Sequence, residues 1–147
     1  YMTFAITPMT MEDADKAYEI EAVSFNTPWS KDTFIKTMNN PLTHAFAAKA
    51  EGEILGYGFV MIVLDEAHIL NIATHPEHRK KGVGKALMGE MLDFAKGKNA
   101  SFALLEVRKS NNAAIKLYEN FGFVIIDERK GYYQDNNEDA LIMLLNF

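Results

Sequence analysis

A chain of 147 residues, 48% hydrophobic and 24% charged, has the composition of one globular domain, long enough to bury about 70% of its unfolded surface. Its 20 acidic and 15 basic side chains leave a net charge of -5, which argues against a general nucleic-acid binder, usually basic overall. There is no cysteine, so disulfides, thiolate metal sites and a cysteine nucleophile are excluded as well.

No apolar run reaches the roughly 18 residues of a membrane span and no signal-peptide pattern opens the chain, so a cytoplasmic protein without a membrane partner is expected. Tyr1 ahead of Met2 reads as a remnant of a cloning tag, with Met2 as the start. Residues 3–7 (TFAIT) alternate as a short strand. Thr10, with Asp13 at the third position, then caps a helix in which Ala14, Ala17, Tyr18 and Ile20 fall near helical spacing. Pro28 interrupts, Ser30 caps a second helix over SKDTFIKTMNN, and Pro41 closes it. THAFAAKA and ILGYGFVMIV flank Glu51-Gly52-Glu53 as an antiparallel hairpin, and Asp65-Glu66 turns the chain into the strand AHILNIAT. A third helix carries the stripe Val83, Ala86, Leu87, Met91, Phe94 and Ala95. SFALLEV reads as a buried strand, and NNAAIKLYENF as a helix with Ala114, Leu117, Tyr118 and Phe121 on one face. Ser110 or Asn111 can cap that helix, and Gly122 ends it in a left-handed conformation. FGFVIIDE and DALIMLLNF are the last strands. This order predicts an α/β (α+β) fold over residues 1–147 as a single domain: one mixed, mostly antiparallel sheet with helices on both faces.

Against the acidic whole, residues 74–92 (THPEHRKKGVGKALMGEML) place Arg79, Lys80 and Lys81 directly before Gly82 and Gly84, at the mouth of the third helix. Glycines before a helix suit an anion, because backbone N–H groups and the helix dipole both point outward there. A P-loop would need glycine where Arg79 stands and Ser or Thr where Ala86 stands. A dinucleotide fingerprint would need glycine at Leu87. A solvated basic turn accounts for the spacing as well as a phosphate site does.

The run Arg79-Lys80-Lys81-Gly82-Val83-Gly84 between a strand and a helix resembles the acetyl-CoA loop of the GNAT family of N-acetyltransferases, although relatives often carry Gln in the basic run and Asp at His75. LLEVRKSNNAAIKLYENFGF is similar to the second half of that fold. VLDEAHILNIAT, PWS at 28–30, YY at 132–133 and EDALIM narrow the resemblance to bacterial members that acetylate the N-terminal alanine of a ribosomal protein. It covers essentially the whole chain. It implies acetyl-CoA as cosubstrate, with the N–H groups from Lys81 through Val83 to Lys85 around the pyrophosphate and Gly82 and Gly84 allowing close approach. The same resemblance implies that Arg79, Lys80 and Lys85 add charge, that Ile72, Ala73 and Thr74 offer backbone groups to the acetyl and pantetheine portions, and that Asn111 hydrogen-bonds coenzyme A.

Two further residues are ambiguous in pattern alone. Strand alternation puts Glu106 on one face with Leu104 and Arg108, which suits a paired structural acid as well as a working one. Periodicity makes Tyr118 a core tyrosine. The resemblance implies Glu106 as general base, through water, and Tyr118 as general acid to the leaving thiolate; with a reference pKa near 10, against about 8.5 for the thiolate, a protonated phenol is available at neutral pH. Trp29, Tyr132 and Tyr133 are candidates for the acceptor groove. At pH 7.4 an α-amine of pKa about 7.7 is roughly one-third neutral and a lysine of about 10.4 roughly 0.1%, which favours a protein N-terminus over lysine for a modest base. A small amine (polyamine, antibiotic or amino acid) and a non-catalytic coenzyme A-binding module remain alternatives. Of the four histidines only His75 and His78 approach ligand spacing, and no metal is expected.

Overall fold

The computed structural model describes residues 3–147, so the expectation at Tyr1 and Met2 lies outside the described residues. Strands β1 (Ala5–Pro8), β2 (Thr43–Ala50), β3 (Glu53–Val63), β4 (Glu66–Thr74), β5 (Phe102–Arg108), β6 (Val124–Arg129) and β7 (Ala140–Asn146) form one sheet in the order β1-β2-β3-β4-β5-β7-β6. Every neighbouring pair is antiparallel except β4 and β5. Four helices accompany it: α1 (Ala14–Ser24), α2 (Lys31–Asn39), α3 (Val83–Gly97) and α4 (Asn112–Asn120). Among the described residues no helix is long and apolar enough to cross a membrane.

Each face of the sheet buries its own core. On one face Leu55 and Val60 meet Val83, Leu87, Met88, Met91 and Leu92 of α3, with Tyr118 of α4 in the same cluster. On the other, Tyr57 and Phe59 meet Ala17 and Ile20 of α1 and Phe34 of α2. Strand β3 reads as a continuous apolar run because both its faces are covered. Gly56 allows the α3 side to close: a Cβ there would lie 2.7 Å from the Ala73 carbonyl oxygen and 3.0 Å from a Val83 methyl.

Local chemistry set most boundaries as expected. Asp13 accepts from the Thr10 N–H at 2.9 Å, but the first turn, Met11–Asp13, is a 3-10 turn rather than α-helix. Ser30 accepts from the Thr33 N–H at 3.1 Å. Helix α4 ends with the Phe123 N–H on the Tyr118 carbonyl and the Gly122 N–H on that of Glu119, with Gly122 at φ +101°. The first strand begins at Ala5 rather than residue 3, and the β3–β4 turn is Leu64-Asp65, one residue earlier than expected. The buried stripe of α3 is wider than the expected one: Met88 and Leu92 are fully part of it, while Ala86 and Phe94 lie half-buried at its margins.

The β4–β5 junction positions everything that follows. These strands share only three register pairs, Glu66 with Phe102, Ala67 with Ala103 and His68 with Leu104. Beyond them β4 continues along β3 and β5 along β7, so the two strands diverge into a wedge. A bulge in β4, where Phe59 pairs Asn71 and Val60 pairs Ile69, leaves Leu70 as the extra residue and bends the strand at the same level.

Candidate active site

At the open end of the wedge, Lys80 (φ +63°) and Gly82 (φ +82°) turn the chain into α3. At Gly82 the left-handed conformation favours glycine, and no side chain caps the helix. The first intrahelical bond runs from the Ala86 N–H to the Gly82 carbonyl at 3.0 Å. The amides of Val83, Gly84 and Lys85 therefore have no acceptor among the described residues. Arg79, Lys80, Lys81 and Lys85 are exposed around them and form no ion pair among the described residues. Three free amides, the positive end of a four-turn helix and four cations unpaired among the described residues suit a multiply charged anion. At Gly84 a Cβ would sit 3.6 Å from Leu117 and from the Thr74 hydroxyl, an ordinary contact, so the protein's own packing does not require glycine there. The residues present thus fit the phosphates of coenzyme A.

Inside the wedge lie two clefts of about 520 and 640 Å³, each in the range of small-molecule sites. Trp29, Ile69, Leu70, Leu105, Glu106 and Tyr133 border both. Only the first reaches Ile72, Asn111 and Tyr118; only the second reaches Tyr132. Glu106 therefore stands where the two meet. It was expected in a buried strand, and here the structure corrects the sequence: the buried side of β5 is Ala103, Leu105 and Val107, and Glu106 is exposed to the wedge. Divergence from β4 removes the neighbour that would have covered it. Tyr118 is 7% exposed, packs against Phe123, and also lines the cleft, so the core position and the site position are the same position. Burial, with a smaller contribution from Tyr133, pushes its phenol up to about 12.

Asn111 caps α4, its Oδ1 accepting from the Ala114 N–H at 3.2 Å, while its Nδ2 makes no bond among the described residues and is free to donate. On β4, Ala73 and Thr74 pair with Tyr57 and Gly56. The Ile72 N–H, expected to be on offer, is engaged by the Asn71 side-chain oxygen at 3.0 Å.

The aromatic side of the wedge is assembled from distant segments. Trp29 is fixed at both ends of its peptide unit, its carbonyl accepting from the Tyr18 hydroxyl at 2.7 Å and its N–H donating to Glu21 at 2.9 Å. Tyr132 and Tyr133 meet edge to face at 5.2 Å in the segment between β6 and β7. Arg108 anchors that segment, donating to both Asp135 oxygens at 3.1 and 2.9 Å and stacking over the Tyr133 ring at 4.0 Å. Thr27 donates to Asp135 at 2.8 Å, tying the Trp29 segment to the Tyr133 segment across the cleft. The Glu106 carboxylate raises the pKa of Tyr132. Burial first, then Glu106, raises that of Tyr133.

Sequence reasoning missed Glu21 and Asn71. Glu21 is buried and bonded to the Tyr57 hydroxyl, which burial and this carboxylate hold far above its usual pKa. A signal existed: Glu21 lies four residues after Ala17 and seven after Ala14, on the apolar stripe of α1. His75, Glu77 and His78 do gather, with ligand atoms within 4.8 Å of one another, but the His75 Nδ1 lone pair already accepts from the Glu77 N–H at 3.1 Å.

Residues 12–123 match the acetyltransferase (GNAT) family. A relative from Bacillus subtilis (strain 168), provisionally named a ribosomal protein bS18-alanine N-acetyltransferase, is 44% identical over 140 residues, covering 95% of this chain and 93% of that protein. The ribosomal protein bS18-alanine N-acetyltransferase of Escherichia coli (strain K12) is 36% identical over 142 residues, covering 95% of each. The crystal structure of the ribosomal-protein-S18-alanine N-acetyltransferase from Escherichia coli superposes with a TM-score of 0.92 at 35% identity, covering 98% of this chain and 94% of that one. With free amides and cations at a helix mouth and a wedge leading from them to a carboxylate and a phenol, the chain belongs to the GNAT family and is an acetyl-CoA-dependent N-acetyltransferase.

Proposed function

We propose that this protein acetylates the N-terminal α-amine of a ribosomal protein, with alanine as the first residue and bS18 as the acceptor suggested by the names of its relatives. The chain acts as one domain, 1–147, by direct transfer in a ternary complex in the cytoplasm, where ribosomal proteins are made. The observation that carries the reading is the place of Glu106, on the border shared by a cleft that holds Tyr118 and a cleft rimmed by aromatic side chains.

Acetyl-CoA, when bound, supplies an activated acyl thioester. Arg79, Lys80, Lys81 and Lys85 and the amides from Lys81 to Lys85 hold its phosphates, Gly82 and Gly84 letting the backbone approach. Asn111 donates from its free Nδ2, and Ile72, Ala73 and Thr74 line the arm that leads inward. From the second cleft Trp29, Tyr132 and Tyr133 present the α-amine to Glu106, which takes its proton directly or through water. Tyr118, its phenol held protonated by burial, gives its proton to the departing sulfur. The expected preference follows from charge: a carboxylate need remove little from an amine of pKa about 7.7, and much more from lysine at about 10.4.

The test is acetylation, read by mass spectrometry, of Ala-initiated peptides with the bS18 N-terminal sequence, the same peptides with blocked N-termini and internal lysine, and free polyamines and aminoglycosides. Transfer confined to the free α-amine supports the reading; preference for spermidine or an antibiotic overturns it.

A further inference from the structure

Glu21 is 2% exposed, and it has no cation beside it among the described residues. A carboxylate buried without a counter-charge is expensive unless hydrogen bonds satisfy it. Three donors do so, each from a different part of the chain. The Tyr57 hydroxyl of β3 and the Asn71 amide of the β4 bulge, the latter at 2.6 Å, donate to Oε1. The Trp29 N–H donates to Oε2 at 2.9 Å. Asn71 also reaches the Tyr57 oxygen at 3.2 Å, and its own oxygen holds the Ile72 N–H.

An amide could not replace this carboxylate. Three converging donors need two acceptor oxygens, and glutamine offers one oxygen and an NH2 that would face a donor. The partners also divide by function: Trp29 borders both clefts, while Asn71 and Ile72 line the one that contains Tyr118. We propose that Glu21 is a positioning residue, a buried node that fixes the Trp29 wall of the acceptor cleft against the β4 bulge on which the acetyl group is to lie. The inference rests on the acetyl-transfer reading above. Glu21 acts through Trp29 and Asn71 and takes no proton in the reaction.

The experiment compares the wild type with Glu21→Gln, Tyr57→Phe and the exchange Glu21→Gln with Asn71→Asp, in steady-state kinetics and in fluorescence. Trp29 is the chain's single tryptophan, so its emission reports the position of this wall whether or not any acceptor is turned over. Glu21→Gln should raise the acceptor KM about tenfold, leave kcat and acetyl-CoA affinity within about twofold, and keep the shape of the pH profile. Its Trp29 emission should shift to the red and quench more readily with acrylamide. The exchange moves the carboxylate to position 71 and the amide donor to position 21, and should bring KM back to within about threefold of wild type and return the emission toward its wild-type position. Tyr57→Phe keeps the core ring and removes one donor; it should raise KM about threefold, and it carries the test if Glu21→Gln does not fold. Unchanged KM and emission in the single variants would overturn the proposal, as would a kcat loss with a displaced pH profile, which makes Glu21 a proton carrier. An exchange variant no better than Glu21→Gln overturns it too. A wild type inactive on every acceptor sinks the acetyl-transfer reading and leaves the fluorescence comparison to decide this one.

Discussion

Glu106 and Tyr118 border the same cleft in contrasting surroundings, the carboxylate exposed and the phenol buried, and the proposed mechanism gives them opposite duties toward a proton. Glu106→Gln keeps the shape and loses the base. Its turnover should fall most at low pH, where nearly every α-amine arrives protonated, and recover as pH passes about 7.7–8.0. A pH–rate profile from 6.5 to 9.5 checks this, and a deficit of constant depth would make Glu106 a positioning group. Tyr118→Phe removes only the hydroxyl from a packed ring and should lower kcat roughly 10²–10⁴-fold with acetyl-CoA affinity little changed. Because burial raises the Tyr118 pKa to about 12, the phenol stays protonated through neutral and moderately alkaline pH. The wild-type profile should therefore show no fall below about pH 10 from loss of this acid. Both residues stood out in the sequence, but their settings did not. Alternation along β5 told which side chains share a face with Glu106, not that β4 would turn away and uncover it.

The entry to α3 is the element that pattern described best. Gly82, Gly84 and the cationic run were visible as letters, and the structure adds three amides without a partner among the described residues and a first helical turn free of acidic side chains. Gly84→Asp should weaken acetyl-CoA binding roughly 100-fold or more by setting a carboxylate against phosphates. Since a Cβ at Gly84 meets its neighbours at 3.6 Å, the variant should fold, and calorimetry alongside circular dichroism separates the two effects. The β4 bulge and the three-pair β4–β5 contact were not legible, because a strand's own pattern carries its faces and not its register with a distant partner. The segment 130–139 was equally hidden. Its anchors, Arg108 with Asp135 and Thr27 with Asp135, join residues 27 and 108 positions apart.

Across the whole molecule, stability is divided between two cores on opposite faces of one sheet. Phe34 is wholly buried in the second, with ring centroids of Tyr57 and Phe59 at 5.3 and 5.1 Å. Phe34→Ala should cost about 3–5 kcal/mol, seen as a lowered denaturation midpoint, and because this core also carries Trp29 it should weaken acceptor binding before acetyl-CoA binding.

The short β4–β5 contact has a consequence for cohesion. The sheet is two half-sheets, β1 to β4 and β5 with β7 and β6, stitched by three register pairs. In the proposed binding mode, a ligand whose amide-bearing arm ran along the diverging edges would stand in for the ladder they do not form, as a non-protein strand. Hydrogen exchange should then slow on both edges together when acetyl-CoA is added. At a hundredfold excess over its Kd the fold should gain about 2.7 kcal/mol, read as a concentration-dependent rise in Tm. The same seam limits engineering: a variant that zipped β4 to β5 along their full length would resist unfolding better and admit no substrate.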